Sequence, residues 1–146
     1  MRRRHGRGQT LVEFALILPV FILVLVGIFD LGRAVYAFNT ISNAAREAMR
    51  VAIVDQNTTA ITNDAVQHSI GLVGAGNVTV QLIDVSSGTA YNRCSDAPTG
   101  CAIGWFAVVT VAYDYTAATP VVGNLVGTIH MSAISKQAIE SVYTSP

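Results

Sequence analysis

Charge is scarce in this chain: only 12% of its 146 residues are Asp, Glu, Lys or Arg, about half the share of an ordinary soluble domain. Cysteine is limited to Cys94 and Cys101 and histidine to His5, His68 and His130. None of these stands at metal-ligand spacing, so no metal site is expected. Ser, Asp and His occur, but without a nucleophile elbow or a metal-binding helix motif around them. The glycine-rich stretch at 71–76, GLVGAG, does not fit a dinucleotide fingerprint and no strand precedes it, so it reads as a turn. These absences predict no catalytic residue, no cofactor and no small-molecule substrate. The length suits one domain.

What is abundant is apolar surface, since 51% of the residues are hydrophobic. It is concentrated near the start, and so is the positive charge. Arg2, Arg3, Arg4 and Arg7 are four of the nine basic residues, leaving five against nine acids and a net −4 beyond position 8. A basic leader before an acidic, weakly charged body argues against nucleic-acid binding. Nineteen residues, 11–29, follow, apolar or small except for Glu13 and Pro19. As a helix they extend about 28 Å, close to the ~30 Å hydrocarbon core of a bilayer. The far flank opens with Asp30 and has one nearby base, Arg33. The positive-inside rule then places the N-terminus in the cytoplasm and the rest outside, as a single-pass protein of the cytoplasmic membrane.

Three processing schemes fit such a segment. A secretory signal peptide would be cut after the apolar run, but the nearest small-x-small candidate, Val35-Tyr36-Ala37, is poor and lies beyond two charges. An uncleaved signal anchor satisfies the hydropathy without accounting for Glu13. A cut before the apolar run keeps the helix in the mature protein. Glu13 favours this last scheme, because an ionisable group in a membrane segment costs on the order of a few kcal/mol and marks a functional position. It stands fifth after Gly8, the residue that ends the basic leader.

Gly8-x-x-x-x-Glu13-Phe14 resembles the cleavage motif of type IV prepilins in its Flp/Tad (tight-adherence) form, and residues 8–50 resemble the TadE-like family throughout. The matching positions include Gly8, Gln9, Glu13, Phe14, Pro19, Gly27, Asp30, Gly32, Arg33, Tyr36 and Asn43 to Glu47. Phe14 stands where Flp major pilins carry tyrosine. The resemblance implies cutting after Gly8 by a prepilin peptidase, with Gln9 as the new N-terminus. Its amine would lie one turn from Glu13, within reach of that carboxylate in its own or a neighbouring chain. Glu13 and Phe14 are thereby assembly residues. Pro19 should kink the helix.

Apolar and small residues continue past the membrane at spacings of three and four: Leu31, Val35, Phe38, Ser42, Ala45, Met49 and Ala52. One helix over about 10–54 is expected, with Gly27 and Gly32 permitting close approach and Glu47 supporting Arg50. A short helix should occupy 62–72, with Asn63 and Asp64 in capping or early-turn positions. Strands are expected at 78–85, 105–115 and 128–140, with a turn at 116–120. Cys94 and Cys101 sit close together in an exported loop, where a disulfide is expected and would stabilise by roughly 2–3 kcal/mol. Lys136 should be a solvated lone base. YDYTAATP and HMSAISKQAIE look TadE-like less specifically.

The expected fold is α+β and pilin-like, a long N-terminal helix packed on a small antiparallel sheet. The expected division is a leader at 1–8, a transmembrane and amphipathic helix at 9–55, and an extracytoplasmic α+β domain at 56–146. The resemblance implies a pseudopilin or minor pilin of a tight-adherence pilus or related secretion apparatus. Its partners would be membrane lipid, a prepilin peptidase, other pilins or pseudopilins and the Tad membrane platform. The alternative is a permanently membrane-resident scaffold or adhesin-like module that never enters a filament.

Overall fold

The computed structural model describes residues 6–142, except for the side chains at positions 7, 121 and 125. The leader residues Arg2, Arg3, Arg4 and His5 lie outside the described residues. Helix α1 runs unbroken over Gly6–Ala52, ~70 Å long. It passes through Pro19 without terminating. It stops at Ala52 because the chain tightens there: Val54 N–H donates to Val51 C=O at 3.0 Å and Asp55 N–H to the same oxygen at 2.8 Å.

Helix α2 spans Thr58–His68, four residues earlier than expected at its start. Its cap is Asn57, whose side-chain oxygen accepts from the N–H groups of Thr59 and Ala60, satisfying two donors of the first turn. Asn63 and Asp64 therefore sit inside the helix, and Asp64 faces His68 at 3.3 Å. Beyond its C-cap Ser69 the chain turns away through Ile70 at φ 52° and Gly71 at φ 77°.

The sheet is antiparallel with order β2-β1-β3-β4. Strands β1 (Val78–Ile83), β3 (Phe106–Thr116) and β4 (Thr128–Ala138) fall close to their expected places. A two-residue strand β2 at Ala90–Tyr91 and a short helix α3 at Pro120–Val126 were not expected from the sequence pattern. β1 pairs only with the first six residues of β3, whereas β4 pairs with all eleven. Beyond Val111 the β3–β4 hairpin therefore continues as a two-stranded ribbon, and α3 is its tip.

The core forms where one face of the sheet meets the far half of α1 and α2. Ala107, Val109 and Val111 alternate inward along β3 and meet Val80 and Leu82 of β1, the period-2 pattern of a half-buried strand. Opposite them lie Ile41, Ala45, Ala48, Met49 and Ala52 of α1, and Ile61 and Ala65 of α2. The buried stripe of α1 is thus Ala37, Thr40, Ile41, Ala44, Ala45, Ala48, Met49 and Ala52. Of the stripe expected from spacing, Ala45, Met49 and Ala52 are buried, Ser42 is half-buried, and Leu31, Val35 and Phe38 face outward. Alanine decides this: a face of methyl groups lets the helix approach the sheet closely, and bulky residues would hold it off. Trp105 stacks on Tyr91 with ring centroids 5.7 Å apart. The segment after β4 is tied to the loop after α1, with Gln56 Nε2 donating to Ser141 C=O at 2.8 Å. Lys136 is not merely solvated, since its ammonium lies over the Phe106 ring.

Candidate membrane anchor and assembly helix

Every residue from 8 to 25 of α1 is exposed. Leu11, Leu16 and Phe29 are each about 70% exposed, so the body leaves most of this half of the helix uncovered. An apolar rod of this length left bare in water would expose far more contiguous apolar surface than soluble monomers tolerate. It is long and apolar enough to cross a membrane.

Glu13 interrupts that surface. Its Oε1 accepts from Gln9 Nε2 at 3.4 Å, one turn back. Gly8, Gln9, Glu13 and Phe14 are all open to solvent or lipid, and a Cβ on Gly8 would meet nothing within 4 Å. The Gly8–Gln9 bond lies within α1 itself.

Where the apolar run ends, Asp30 is buried, and this is the feature that sequence reasoning missed. Its carboxylate accepts from the Thr119 hydroxyl and from the Ala118 N–H, the latter at 3.1 Å, while its backbone carbonyl accepts from the Tyr115 hydroxyl at 2.7 Å. Three groups at the base of the ribbon tip, on Tyr115, Ala118 and Thr119, are thereby fixed to one residue of α1. The Thr119 hydroxyl, with the Ala118 amide and Arg33 adding to it, holds the Asp30 carboxyl below its ordinary value. Burial raises the Tyr115 phenol above its ordinary value, and Asp30 reinforces the shift. In the sequence Asp30 reads only as the first charge after a membrane run. Its partners lie more than 80 residues away, and no local spacing announces them.

The remaining sequence candidates lie apart from this helix half. Cys94 and Cys101 form a disulfide, Cα to Cα 4.9 Å, beside the far end of the body. A polar groove there is lined by Asp55, Asn57, Thr59, Arg93 and Ser95. Glu47 meets Arg50 at 3.6 Å on the outer face of α1. His130 contacts Asp114 across the ribbon at 2.5 Å.

Residues 8–50 match the family model described as TadE-like protein. No curated protein matches the chain, and no solved structure does. The resemblance read from the N-terminal sequence therefore holds over most of α1, while the body, with its YDYTAATP and HMSAISKQAIE stretches, lies outside the matched residues. A TadE-like segment and a bare apolar helix together fit a membrane-anchored, pilin-like protein.

Proposed function

We propose that this protein is a pseudopilin or minor pilin of a tight-adherence pilus or related secretion apparatus, a structural component rather than an enzyme. α1 anchors it in the cytoplasmic membrane with the N-terminus inside and the body outside. A prepilin peptidase cuts after Gly8, removing a leader at 1–8 and leaving the helix 9–55 and the body 56–146. The observation that carries this reading is the lone carboxylate Glu13, one turn from Gln9 on an otherwise apolar, uncovered and TadE-like helix.

Cleavage converts the Gln9 nitrogen from an amide to an α-amine, charged or nearly so at neutral pH. Glu13 then faces a cation at helical i,i+4 distance, in its own chain or across to a neighbour. In a bundle of such helices the pairing satisfies a group that lipid does not, and sets the axial register of one subunit on the next. Phe14 beside it packs in the same bundle, and Pro19 is the position at which the helix would kink. The partners on this reading are lipid, the peptidase, other pilins or pseudopilins and the Tad membrane platform.

The test is the intact mass of the full-length protein extracted from membranes after co-expression with a cognate prepilin peptidase. Loss of residues 1–8 from the wild type but not from Gly8→Ala is the expected result. An uncut wild-type chain overturns the processing step and leaves a signal-anchored scaffold. A soluble product beginning after Ala37 overturns the anchor itself.

One observation favours the second reading, a membrane-resident scaffold or adhesin-like module. Val122 of the ribbon tip borders a cleft along α1 between Leu18 and Val26, which narrows the room for a neighbouring helix on that flank. Presence of the protein in sheared surface filaments separates the two: a filament subunit is found there, a resident scaffold is not.

A further inference from the structure

The tip of the β3–β4 ribbon has no role in the cleavage or register arguments, yet the fold invests heavily in placing it. Residues 115–129 contain no charged side chain. The first charged or titratable pair outside them is Asp114 and His130, opposite each other across the ribbon. From there the chain runs down along α1, turns through Pro120–Val126 and returns at Gly127, whose φ of 72° lets the backbone reverse into β4.

The tip meets α1 inside its apolar run. Val122 borders a cleft of roughly 420 Å³ whose other wall is Leu18, Pro19, Ile22, Leu23 and Val26. All six lining residues are apolar. Val26 lies three residues before the end of the run and Leu18 eleven, which is ~5 to ~16 Å of helix below its boundary at Phe29. That depth belongs to the leaflet on the body's side of the membrane.

We propose that the ribbon tip is a second membrane element, a foot inserted into the leaflet on the body's side, with lipid acyl chains filling the cleft between α3 and α1. The proposal rests on the reading of residues 11–29 as a membrane span. Three features fit lipid. An open cleft with only apolar walls is costly in water and is the natural seat of an acyl chain. The polar groups at the base of the foot are already used, because Asp30 accepts from the Ala118 N–H and the Thr119 hydroxyl. In hydrocarbon each such donor left unsatisfied would cost several kcal/mol. The first turn of α3 opens with Pro120, which has no N–H to satisfy, and Gly123 and Gly127 N–H groups are paired to Thr119 and Gly123 carbonyls. Finally, the charge-free stretch ends where Asp114 and His130 meet, marking the level at which the ribbon re-enters water.

The foot gives the anchor two points of attachment. A single helix lets a body rotate about its axis, whereas a helix with a foot pinned by Asp30 fixes which face the body presents along the membrane. Withdrawal of the subunit from the bilayer then requires both elements to leave lipid.

The experiment uses the full-length chain in phosphatidylglycerol–phosphatidylethanolamine vesicles, with the native disulfide kept oxidised and a polarity-sensitive fluorophore on one added cysteine. Val122→Cys reports the foot, Val24→Cys the span and Gln67→Cys the body. Lipids brominated on their acyl chains serve as the quencher. Blue-shifted emission and loss of most of the signal to bromine at both Val122 and Val24, with Gln67 unaffected, is the expected result. Quenching at Val24 with Val122 unquenched overturns the foot and leaves the span intact. Energy transfer between Val122 labels on separate copies, combined with protection from bromine, assigns the cleft to a second chain and also overturns it. If Val24 too is unquenched, the span has failed rather than the foot.

Discussion

The two halves of α1 belong to one uninterrupted helix and obey opposite rules. In the half at 11–29, large residues such as Leu16, Phe21 and Phe29 point outward in every direction. In the half at 30–52 the buried positions are mostly alanine, and the large Leu31, Val35, Tyr36 and Phe38 stay exposed. Helix propensity does not explain the difference, since the half richer in β-branched and aromatic residues and carrying Pro19 continues the same unbroken helix. Solvent does. The first half meets the body only near the ribbon tip, so on the proposed reading most of its apolar surface is matched by lipid and side-chain size there is little constrained. The second half has a sheet to meet, so side-chain volume decides which face turns inward.

The largest break in that comparison comes from truncating one long side chain in each half. Met49 is 1% exposed and wedged between α2 and the sheet. Met49→Ala should destabilise the body by about 2–5 kcal/mol, the range for a buried side chain whose site collapses only partly. Leu16→Ala, at a 71% exposed position, should leave body stability within about 0.5 kcal/mol. Urea titration of the full chain in detergent, followed by the fluorescence of Trp105, reads both. Equal losses from the two variants would mean that the first half is packed against protein.

How much of this was legible beforehand follows from the range of each interaction. The membrane run, Glu13 after Gly8 and the three long strands are written in neighbouring residues, as hydropathy, spacing and alternation. The start of α2 was misplaced because Asn63 and Asp64 looked like caps while the polar break at 55–59 looked like loop. Asn57 inside that break supplies the cap, and several such residues in a row leave the choice to geometry. The inward face of α1 was misassigned because spacing weighted leucine, valine and phenylalanine as core, while the sheet admits only small residues. α3 and the Asp30 clamp were invisible. Thr119-Pro120 reads as a turn, seven residues make little periodic signal, and the partner carboxylate is 88 or 89 residues away.

A middle-sized effect should appear at the junction of the halves, where Asp30 joins α1 to the ribbon tip. Its carboxyl titrates below the ordinary 3.8 because the Thr119 hydroxyl and the Ala118 amide hydrogen-bond its charged form. A group with a lowered folded-state value contributes stability above its unfolded value and loses it as pH falls through the folded one. The clamp should therefore hold at neutral pH and down to about 4, the unfolded carboxylate value, then release on further acidification. Amide exchange at Ala118, corrected for the intrinsic pH dependence, should show protection lost only below that point. Asp30→Ala should lose the same protection at neutral pH while Trp105 fluorescence is unchanged. Protection at Ala118 that survives in Asp30→Ala would show that the tip is held by its apolar contacts with α1 and not by the carboxylate.

The smallest effect sharpens the comparison most, because it sets one functional group in both surroundings. Glu13 and Glu47 lie on the same helix, and each has a partner within one turn: Gln9 at 3.4 Å for Glu13, Arg50 at 3.6 Å for Glu47. The Arg50 side chain is 76% exposed, so its pair with Glu47 is screened by water and worth at most a few tenths of a kcal/mol. Glu47→Gln should change the body's unfolding free energy, read from urea titration, by no more than about 0.5 kcal/mol in either direction, with membrane extraction unaltered. A loss of several kcal/mol would mean that Glu47 faces a desolvated contact and that the outer face of the second half is an interface. The small effect expected there isolates what is particular about Glu13. A carboxylate on a helix surface is commonplace in water, and the assembly role proposed for Glu13 depends on the half of the helix that bears it facing lipid instead.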